Sequence, residues 1–389
     1  MKILIVSYNG LWDACFPLIE SLKDKCDLYC ALELIPEHPN FLGIKPADFI
    51  DDSILEGKRI IGLEKYSKII PIDHTVIIQK HVPRNIARFL IDSIVEKRYI
   101  ESVKPDFVYF FHDPIYSLSF IKHTTIPWGI AVHDPLPHNG GRMAINLLRR
   151  YIFKKCDNFF LFSQNLIPEF KKVYGLNDSQ IHNTQLGIYS HLSTLYGFPV
   201  EKAQESNNSL KILFFGKILP YKGLPLLLRA FKCLREKNMN VELTIAGKGY
   251  VDSDIISLTS ANGIFLDNDY IDEPQLAEYI KNSDIVICPY EEATQSGVIM
   301  TSYAFCKPVI ATRVGGLTEM VKDGMTGTII EPSNVDAIVE ALEDVYYHRD
   351  LLSEWAGNIY SLYYEGVQGR TKIATKLLKD IESIINNAE

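Results

Sequence analysis

One stretch, Ser283–Pro332, constrains the fold most, because buried strands alternate in it with a helix and with turns of small residues. The strands and the helix are predicted at Ile285–Cys288, Val298–Phe305 and Val309–Thr312. Because the carboxyl ends of parallel strands meet at one edge of a sheet, the turns Ser296–Gly297 and Gly315–Gly316 should lie together there. The first amides of the helix have no partners within the helix and suit a phosphate group. The stretch therefore predicts a phosphate-binding site at the edge where open α/β sheets hold their ligands.

The rest of the chain continues this alternation on both sides of a polar segment. Its 389 residues favour two domains. Strands are predicted at Lys2–Val6, Asp27–Leu32, Phe107–Phe110, Ile126–Val132, Asn158–Phe162, Ile181–Gln185, Lys211–Phe215, Val241–Ala246 and Gly327–Ile330. Helices are predicted at Asn85–Glu101, Arg142–Lys155, Leu224–Lys237, Pro274–Asn282 and Val335–Tyr347. Gly197–Ser209 lacks apolar periodicity and is interpreted as a linker between βα domains at 1–196 and 210–366.

Composition excludes several classes of protein. The net charge of −8, without a basic stripe, argues against nucleic acid as a partner. No apolar run approaches the roughly 18 residues of a membrane span. The seven cysteines include no CxxC pair, which favours a reducing cytoplasm and gives no metal site.

Two further loops of the second domain should reach the same edge of its sheet. The strand Lys211–Phe215 leads into Gly216 and Lys217, and Lys222 follows just before a helix, so two cations share one loop. Such cations are suited to clamp a diphosphate, although a solvated surface position is the alternative for each. Gly247 and Gly249 end the next strand, where they either admit a ligand close to the backbone or simply form the turn.

The sequence does not match two other phosphate-binding motifs. A dinucleotide fingerprint starting at Gly247 needs a glycine where Asp252 stands, which disfavours a nicotinamide cofactor. A Walker loop starting at Gly216 needs a glycine where Tyr221 stands, and a serine or threonine where Gly223 stands. No cofactor is therefore expected.

These residues together resemble the retaining glycosyltransferases of the GT-B fold, in the large group called family four or group 1. The resemblance is carried by GKILPYKG, AGKG, SDIVICPY, FCKPVIATRVGGLTE and DGMTG, which occur here in the family's order and spacing. It implies two Rossmann-like domains facing across a cleft, with a nucleotide sugar on the second and an acceptor on the first. It also implies that the last segment, 367–389, returns to the first domain, and the one-sided apolar pattern of Thr371–Ile385 fits that return helix.

One feature departs from the family. The family's paired glutamates, separated by seven residues, are replaced here by Ala293 and Thr301. The sequence TQSG resembles a variant in which side chains and amides of the turn face sugar and phosphate. The donor-binding residues are predicted to be Gly216, Lys217, Lys222, Gly247, Gly249, Thr294, Gln295, Ser296, Gly297, Val298, Thr301 and Glu319. The donor is expected to be a nucleotide-diphosphate sugar, with a UDP-sugar favoured.

In the first domain, an HDP..H segment similar to one in the family follows a predicted strand. His133 is predicted to be catalytic together with Lys222 and Lys217, although a histidine bonded to the backbone at a strand end is an equal alternative. Asp134 and His138 are predicted to line the acceptor side. Asn9 and Gly10, which end the first strand, should border the cleft.

The resemblance implies retaining, metal-independent transfer of a hexosyl group to a glycan or lipid-linked acceptor in cell-surface polysaccharide synthesis. A GT-B epimerase and a non-catalytic nucleotide-sugar-binding subunit remain open as alternatives. Contact with an anionic membrane surface is a further hypothesis, since a predicted helix places four cations along one side. These cations are Arg142, Arg149, Arg150 and Lys154. The expected location is the cytoplasm, with peripheral contact at the inner face of the membrane.

Overall fold

The chain forms two α/β units, each built around one mainly parallel sheet. The computed structural model describes residues 1–36, 38, 40–45, 48–49, 53–81, 86–135, 143–198, 209–251, 255, 259, 263–366 and 369–388. Unit 1 contains Met1–Gly187 and the terminal segment Arg370–Glu389, and unit 2 contains Ile188–Gly369. The fold class predicted from the sequence is confirmed.

Unit 1 is an eight-stranded sheet with helices packed on its faces. Its strands are β1 (Lys2–Tyr8), β2 (Asp27–Leu34), β3 (Ile54–Glu56), β4 (Thr75–Gln79), β5 (Phe107–Phe110), β6 (Trp128–Val132), β7 (Phe159–Leu161) and β8 (Ile181–Asn183). Its helices are α1 (Trp12–Leu22), α2 (Ile86–Val103), α3 (Leu118–His123), α4 (Met143–Phe153), α5 (Ile167–Tyr174) and α13 (Arg370–Ala388). The strand order is β3-β4-β2-β1-β5-β6-β7-β8, and only β3 pairs antiparallel among these strands.

Unit 2 repeats the plan with a six-stranded parallel sheet. Its strands are β9 (Leu210–Phe215), β10 (Val241–Ala246), β11 (Ile264–Asp267), β12 (Ile285–Cys288), β13 (Val309–Thr312) and β14 (Gly327–Ile330). Its helices are α6 (Ser190–Tyr196), α7 (Leu224–Glu236), α8 (Glu273–Asn282), α9 (Gly297–Ala304), α10 (Leu317–Met320), α11 (Val335–Tyr347) and α12 (Asp350–Tyr360). The order β11-β10-β9-β12-β13-β14 makes β9 and β12 neighbours at the centre of the sheet.

The apolar runs form strands because parallel sheets are covered on both faces, and burying these side chains is the main favourable contribution to folding. In unit 2, β9, β12 and β13 are almost wholly buried. Local signals set the helix boundaries. The Asp272 side chain accepts a hydrogen bond from the Gln275 amide at 2.9 Å and begins α8, and Asn334 does the same for the Ala337 amide before α11.

The last helix belongs to unit 1, as the resemblance implied. In α13 the side chains of Ala374, Leu377 and Ile381 are buried, and the helix packs against α1. The one-sided apolar pattern of the segment therefore corresponds to its packed face.

The boundary between the units differs from the predicted one at residue 196. Helix α6, which we assigned to the first domain, packs against α8 and α9 within unit 2. The Tyr196 hydroxyl donates to Glu273 Oε2 at 3.0 Å, and the Tyr189 amide donates to the Met300 carbonyl at 3.2 Å. Unit 2 consequently begins at Ile188, before α6. Most of the predicted linker, 199–208, lies outside the described residues.

Among the helices in the described part of the chain, none is both long enough and apolar enough to cross a membrane. The described residues also contain no group of three or more His, Cys, Asp or Glu side chains placed to hold a metal ion.

Candidate active site

Lys222 is the central side chain of the site in unit 2. The short turn Pro220–Lys222, between β9 and α7, places it at the carboxyl edge of the sheet, where it is only 8% exposed. Its Nζ lies 5.2 Å from the centre of the Tyr290 ring, in a cation–π contact. No carboxylate in the described ranges pairs with it. Burial is the main cause that lowers the pKa of Lys222 from its usual value, and Lys217 acts in the same direction. The site therefore holds a buried cation that lacks an anion.

Gly216 brings three elements to one point. It has φ of +96°, and an added Cβ there would lie 3.2 Å from Lys222 Nζ and 3.3 Å from Val298 Cγ2. The loop after β9 and the first turn of α9 thus converge on the lysine ammonium. Lys217 is exposed on the same loop. The structure thus brings Lys222, Gly216 and Val298, three of the predicted donor-binding residues, close together.

The glycines at the ends of the strands hold neighbouring loops close together. A Cβ on Gly247 would lie 2.1 Å from the Gly216 carbonyl oxygen, and one on Gly249 would lie 2.0 Å from the Ile218 carbonyl oxygen. Both glycines therefore have a structural role. They allow the loops after β9 and β10 to pack backbone to backbone.

The turn between β12 and α9 is built in the same way. A Cβ on Gly315 would lie 1.6 Å from the Ala293 carbonyl oxygen, and one on Gly316 would lie 2.2 Å from the carbonyl oxygen of Thr294. The double glycine after β13 therefore fixes the course of the turn that precedes α9. Gln295 is half-buried in this turn.

The turn leaves polar groups available at the start of α9. Ser296 is the N-cap residue, yet its side chain caps no backbone amide, and its buried hydroxyl lies beside the side chains of Cys288 and Tyr290. Gly297 packs against the Tyr189 ring, whose hydroxyl would lie 3.1 Å from an added Cβ. Thr301 lies one turn further along and is buried, and Glu319 is half-buried near the start of α10. A buried hydroxyl beside free helix amides and the Lys222 ammonium is a set of donors suited to phosphate oxygens.

In unit 1, His133 follows β6 and lies half-buried between two aromatic rings. The ring centres of Phe111 and Phe162 lie 4.8 Å and 4.7 Å from that of the imidazole. Its Nε2 lies 3.1 Å from the Phe111 carbonyl oxygen, so Nε2 carries the proton and Nδ1 remains an acceptor. Burial lowers the pKa of His133 to about 4, although the Asp134 charge and the hydrogen bond to Phe111 act the other way. The imidazole is therefore neutral at pH 7. The hydrogen bond between His133 and the Phe111 carbonyl is the contact expected if His133 has a structural role at the end of the strand.

Asn9, Gly10 and His138 are other residues of unit 1 that were predicted to line the cleft. The Asn9 amide donates to the carbonyl oxygens of Ile35 at 3.0 Å and His38 at 2.8 Å, and its Oδ1 accepts from the Ile35 amide at 3.0 Å. Asn9 thereby fixes the chain after β2. Gly10 lies in the turn after β1, and His138 lies outside the described residues.

The Arg149 side chain contacts the backbone of Asp134. The Arg149 guanidinium donates to the Asp134 carbonyl oxygen, and its Nε lies 2.8 Å from Asp113 Oδ2. Its guanidinium also lies 4.8 Å from the centre of the Phe153 ring. Arg149 is buried, so the hypothesis that it belongs to an exposed basic face is wrong. Arg150 and Lys154 are exposed, and Arg142 is outside the described residues.

Sequence reasoning missed a buried ionic cluster at the carboxyl edge of the unit 1 sheet. Lys80 is completely buried, where it contacts Glu96 and lies 3.1 Å from Glu33 Oε1. His112 Nε2 lies 2.7 Å from Glu33 Oε2, and the Ser117 hydroxyl donates to Glu96. Burial would raise the pKa of Glu33, but Lys80 and His112 hold it well below its usual range. For Glu96 burial prevails and raises the pKa to about 7.

A comparison with known proteins assigns the second unit. Residues 209–348 match the family described as glycosyl transferases group 1. Unit 2 therefore resembles the domain that this family model describes. The matched region contains the Lys222 loop, both glycine pairs and the turn that opens α9.

Individual relatives agree with this assignment. A D-inositol 3-phosphate glycosyltransferase of Arthrobacter sp. (strain FB24) is 32% identical over 142 residues, which are 35% of this chain and 34% of that protein. The capsular polysaccharide biosynthesis glycosyltransferase CapM of Staphylococcus aureus is 26% identical over 212 residues, which are 49% of this chain and 52% of that protein. The matches thus span about a third to a half of these relatives.

A solved structure extends the likeness to the whole fold. HepE from Anabaena, in complex with UDP, superposes with a TM-score of 0.68 over 98% of this chain and 100% of that chain, at 16% identity. The chain therefore has the GT-B glycosyltransferase fold.

Proposed function

We propose that this protein is a retaining glycosyltransferase that moves a hexosyl group from a nucleotide-diphosphate sugar, with a UDP-sugar favoured, to a glycan or lipid-linked acceptor. The observation that carries the proposal is the buried Lys222 ammonium, which has no carboxylate partner among the described residues and lies beside the first turn of α9. A diphosphate is the partner that this arrangement lacks, because its oxygens accept from ammonium, hydroxyl and amide donors together. The glycosyltransferase relatives and the UDP bound to HepE support the same assignment.

The donor site is suited to stabilise the negative charge that develops on the diphosphate during transfer. Cleavage of a nucleotide sugar leaves negative charge on the diphosphate and develops positive charge at the anomeric carbon. Lys222, with Lys217 beside it, would stabilise the leaving diphosphate. Since burial lowers the pKa of Lys222, an arriving phosphate would favour its charged form and be bound more strongly as its own charge rises.

The remaining assignments rest on the resemblance together with local chemistry. We assign Thr294, Gln295 and Ser296 to the sugar and phosphate side of the donor, and Thr301 and Glu319 to donor binding as well. His133 is assigned to the sugar or the acceptor, where a neutral imidazole with a free Nδ1 accepts a hydrogen bond from a hydroxyl group. The role in capsular polysaccharide biosynthesis that the name of CapM states suggests a glycan as the acceptor class.

The experiment that tests this function is incubation with a panel of nucleotide sugars, with and without glycan and lipid-linked acceptors. Thermal shift identifies the donor first, because a ligand that binds only the folded state raises the melting temperature. We expect release of nucleoside diphosphate and formation of an α-linked product from an α-linked donor, only when acceptor is present. Conversion of the donor without acceptor would indicate an epimerase, and binding without any turnover would indicate a non-catalytic subunit. Either result contradicts the proposal.

A further inference from the structure

Tyr290, two residues after β12, lies between two residues that we assign to the donor phosphates. The Lys222 ammonium lies 5.2 Å from the centre of its ring. Its hydroxyl lies beside the Ser296 hydroxyl and the Cys288 thiol, and the residue is only 3% exposed. One buried phenol therefore contacts both the cation of the site and the side chain that precedes α9.

Other buried tyrosines of unit 2 have partners of a structural kind. The Tyr363 hydroxyl donates to the Met320 carbonyl oxygen at 3.1 Å, and the Tyr303 hydroxyl lies 2.7 Å from Thr326 Oγ1. Both partners lie on the chain that leads from α10 into the amino end of β14. Tyr290 differs from these tyrosines, because the groups that it contacts lie at the carboxyl edge of the sheet, where we place the donor.

The surrounding packing holds Tyr290 in one position. The Thr312 hydroxyl, on β13, donates to the Tyr290 carbonyl oxygen at 2.6 Å. Tyr221 belongs to the turn that carries Lys222, and its ring packs edge to face with the Tyr290 ring, with the ring centres 6.2 Å apart. The Tyr221 carbonyl also accepts from the Glu291 amide at 2.7 Å. A side chain fixed in this way can fix the direction of the groups that it contacts.

The two neighbours of Lys222 on the β12 side supply no negative charge at pH 7. Burial raises the pKa of Cys288 to about 11 and raises the pKa of Tyr290 well above its usual value, so the thiol and the phenol stay neutral. Lys217, on the same loop as Lys222, disfavours the charged form of Lys222. Within the described part of the chain, the negative face of the Tyr290 ring is therefore the contact that favours the ammonium before a ligand arrives.

We propose that Tyr290 is a positioning residue of the diphosphate site, whose ring holds the Lys222 ammonium and whose hydroxyl orients the Ser296 hydroxyl. The inference rests on the proposed function, because it takes a diphosphate to be the ligand of Lys222 and Ser296. Tyr290 acts through these two residues, which then present their donors to the same phosphate oxygens. The sequence does not reveal this role, since the contacts join two loops that meet only in the fold.

The charge state of Lys222 tests the inference without any ligand. Isotope labelling of the lysine side chains allows an NMR titration of Lys222, whose signal is identified by its absence in Lys222→Arg. Tyr290→Met removes the ring but keeps an apolar side chain, and it should lower the midpoint of this titration by about half a pH unit. Tyr290→Phe keeps the ring and should leave the midpoint unchanged.

Tyr346→Met is the matched control for the loss of the ring. Tyr346 of α11 also holds a cation in unit 2, because the Arg349 guanidinium lies 5.2 Å from the centre of its ring. Its hydroxyl accepts from the amide of Asn240, which precedes the amino end of β10. Tyr346→Met should therefore leave the Lys222 titration as it is in the wild type.

Calorimetry with UDP and uridine measures the effect on the ligand. Tyr290→Phe should weaken UDP binding about three- to tenfold, because Ser296 loses the group that orients its hydroxyl. Tyr290→Met also loses the ring and should weaken UDP binding at least about tenfold. Uridine binding should be unchanged in both variants, and Tyr346→Met should bind both ligands as the wild type does.

The inference is overturned if Lys222 titrates alike in Tyr290→Met and in the wild type, or if Tyr290→Phe binds UDP as tightly as the wild type. An equal loss of affinity for UDP and uridine in Tyr290→Phe would also overturn it, since the tyrosine would then support the fold of the whole unit. A wild-type protein that binds neither UDP nor another nucleoside diphosphate would contradict the proposed function instead. The Lys222 titration would still decide whether Tyr290 holds the ammonium.

Discussion

At the scale of single residues, the donor site depends on glycines that let two backbones touch. Gly223 directly follows Lys222 and has φ of +70°, and an added Cβ would lie 1.9 Å from the Pro289 carbonyl oxygen. The lysine is thus held by a turn that only glycine accommodates. Its burial against Tyr290 is a consequence of this close approach.

Gly223→Ala should therefore destabilise the protein and displace Lys222. We expect a loss of at least about 1–3 kcal/mol in the free energy of unfolding, because both strain and a backbone clash oppose the alanine. Urea denaturation of Gly223→Ala and of the wild type measures this difference in the free energy of unfolding. Gly357→Ala is the matched control: Gly357 lies inside α12 with nothing within 4 Å of an added Cβ. That change should stabilise by roughly 0.5–1 kcal/mol. Equal effects of the two substitutions would contradict the account.

His133 supplies a prediction on pH. Its pKa of about 4 lies below the usual value of 6.5, so the unfolded chain binds a proton at higher pH than the folded protein does. Its contribution to stability is fully present above pH 6.5 and is lost as the pH falls toward 4. His133→Asn removes the titration, so the variant should lose less free energy of unfolding than the wild type between pH 6.5 and 4.5. Parallel curves for the two proteins would show that His133 is not buried in its neutral form.

At the scale of elements, strands whose apolar runs are bounded by turn residues could be predicted, and β1, β9, β10, β12, β13 and β14 lie where the sequence placed them. Strand β4 was missed because the segment before it forms short turns such as Leu63–Tyr66 without periodicity. Helix α6 was assigned to the wrong side of the boundary, because its packing on α8 and α9 is a tertiary contact that sequence spacing does not reveal. The cluster around Lys80 was unpredictable for the same reason, since β2, β4 and α2 contribute it from distant positions.

This cluster should be important for the stability of unit 1. Lys80→Met would leave the carboxyl groups of Glu33 and Glu96 buried without their shared cation. Breaking a buried ionic group in this way costs about 3–5 kcal/mol, and chemical denaturation at pH 7 should show it. Lys97→Met on α2 is the matched control, because it removes an i,i+4 pair with exposed Glu101 and should change stability by less than about 1 kcal/mol. A loss no larger than the control's would mean that Glu33 and Glu96 do not depend on Lys80.

At the scale of the whole molecule, the alternation of strand and helix patterns predicted an α/β protein, and the family resemblance implied the GT-B fold, which the structural comparison supports. The site was only partly accessible from the sequence. The positions of Lys222 and the α9 turn followed from strand ends and glycines. The burial of Lys222 against Tyr290, and the contact of Gly315 with Ala293, required the three-dimensional packing of loops.

If the proposed function is correct, transfer should not need a divalent metal. Lys222 and Lys217 share the loop assigned to the diphosphate, and they would supply the charge that a metal supplies in other enzymes. We expect transfer to survive EDTA with less than about a twofold change in rate. Loss of activity in EDTA that manganese restores would show that a cation performs the task assigned here to the lysines.

The central claim, that the buried Lys222 ammonium binds the diphosphate of the donor, is tested most directly by calorimetry with UDP and with uridine. Lys222→Ala should weaken UDP binding by about 1.5–3 kcal/mol, which is roughly 10- to 150-fold, and leave uridine binding unchanged. Lys232→Ala, on the exposed side of α7, should bind both ligands as the wild type does. If Lys222→Ala binds UDP as tightly as the wild type, or loses equal affinity for UDP and uridine, the account of the site is wrong.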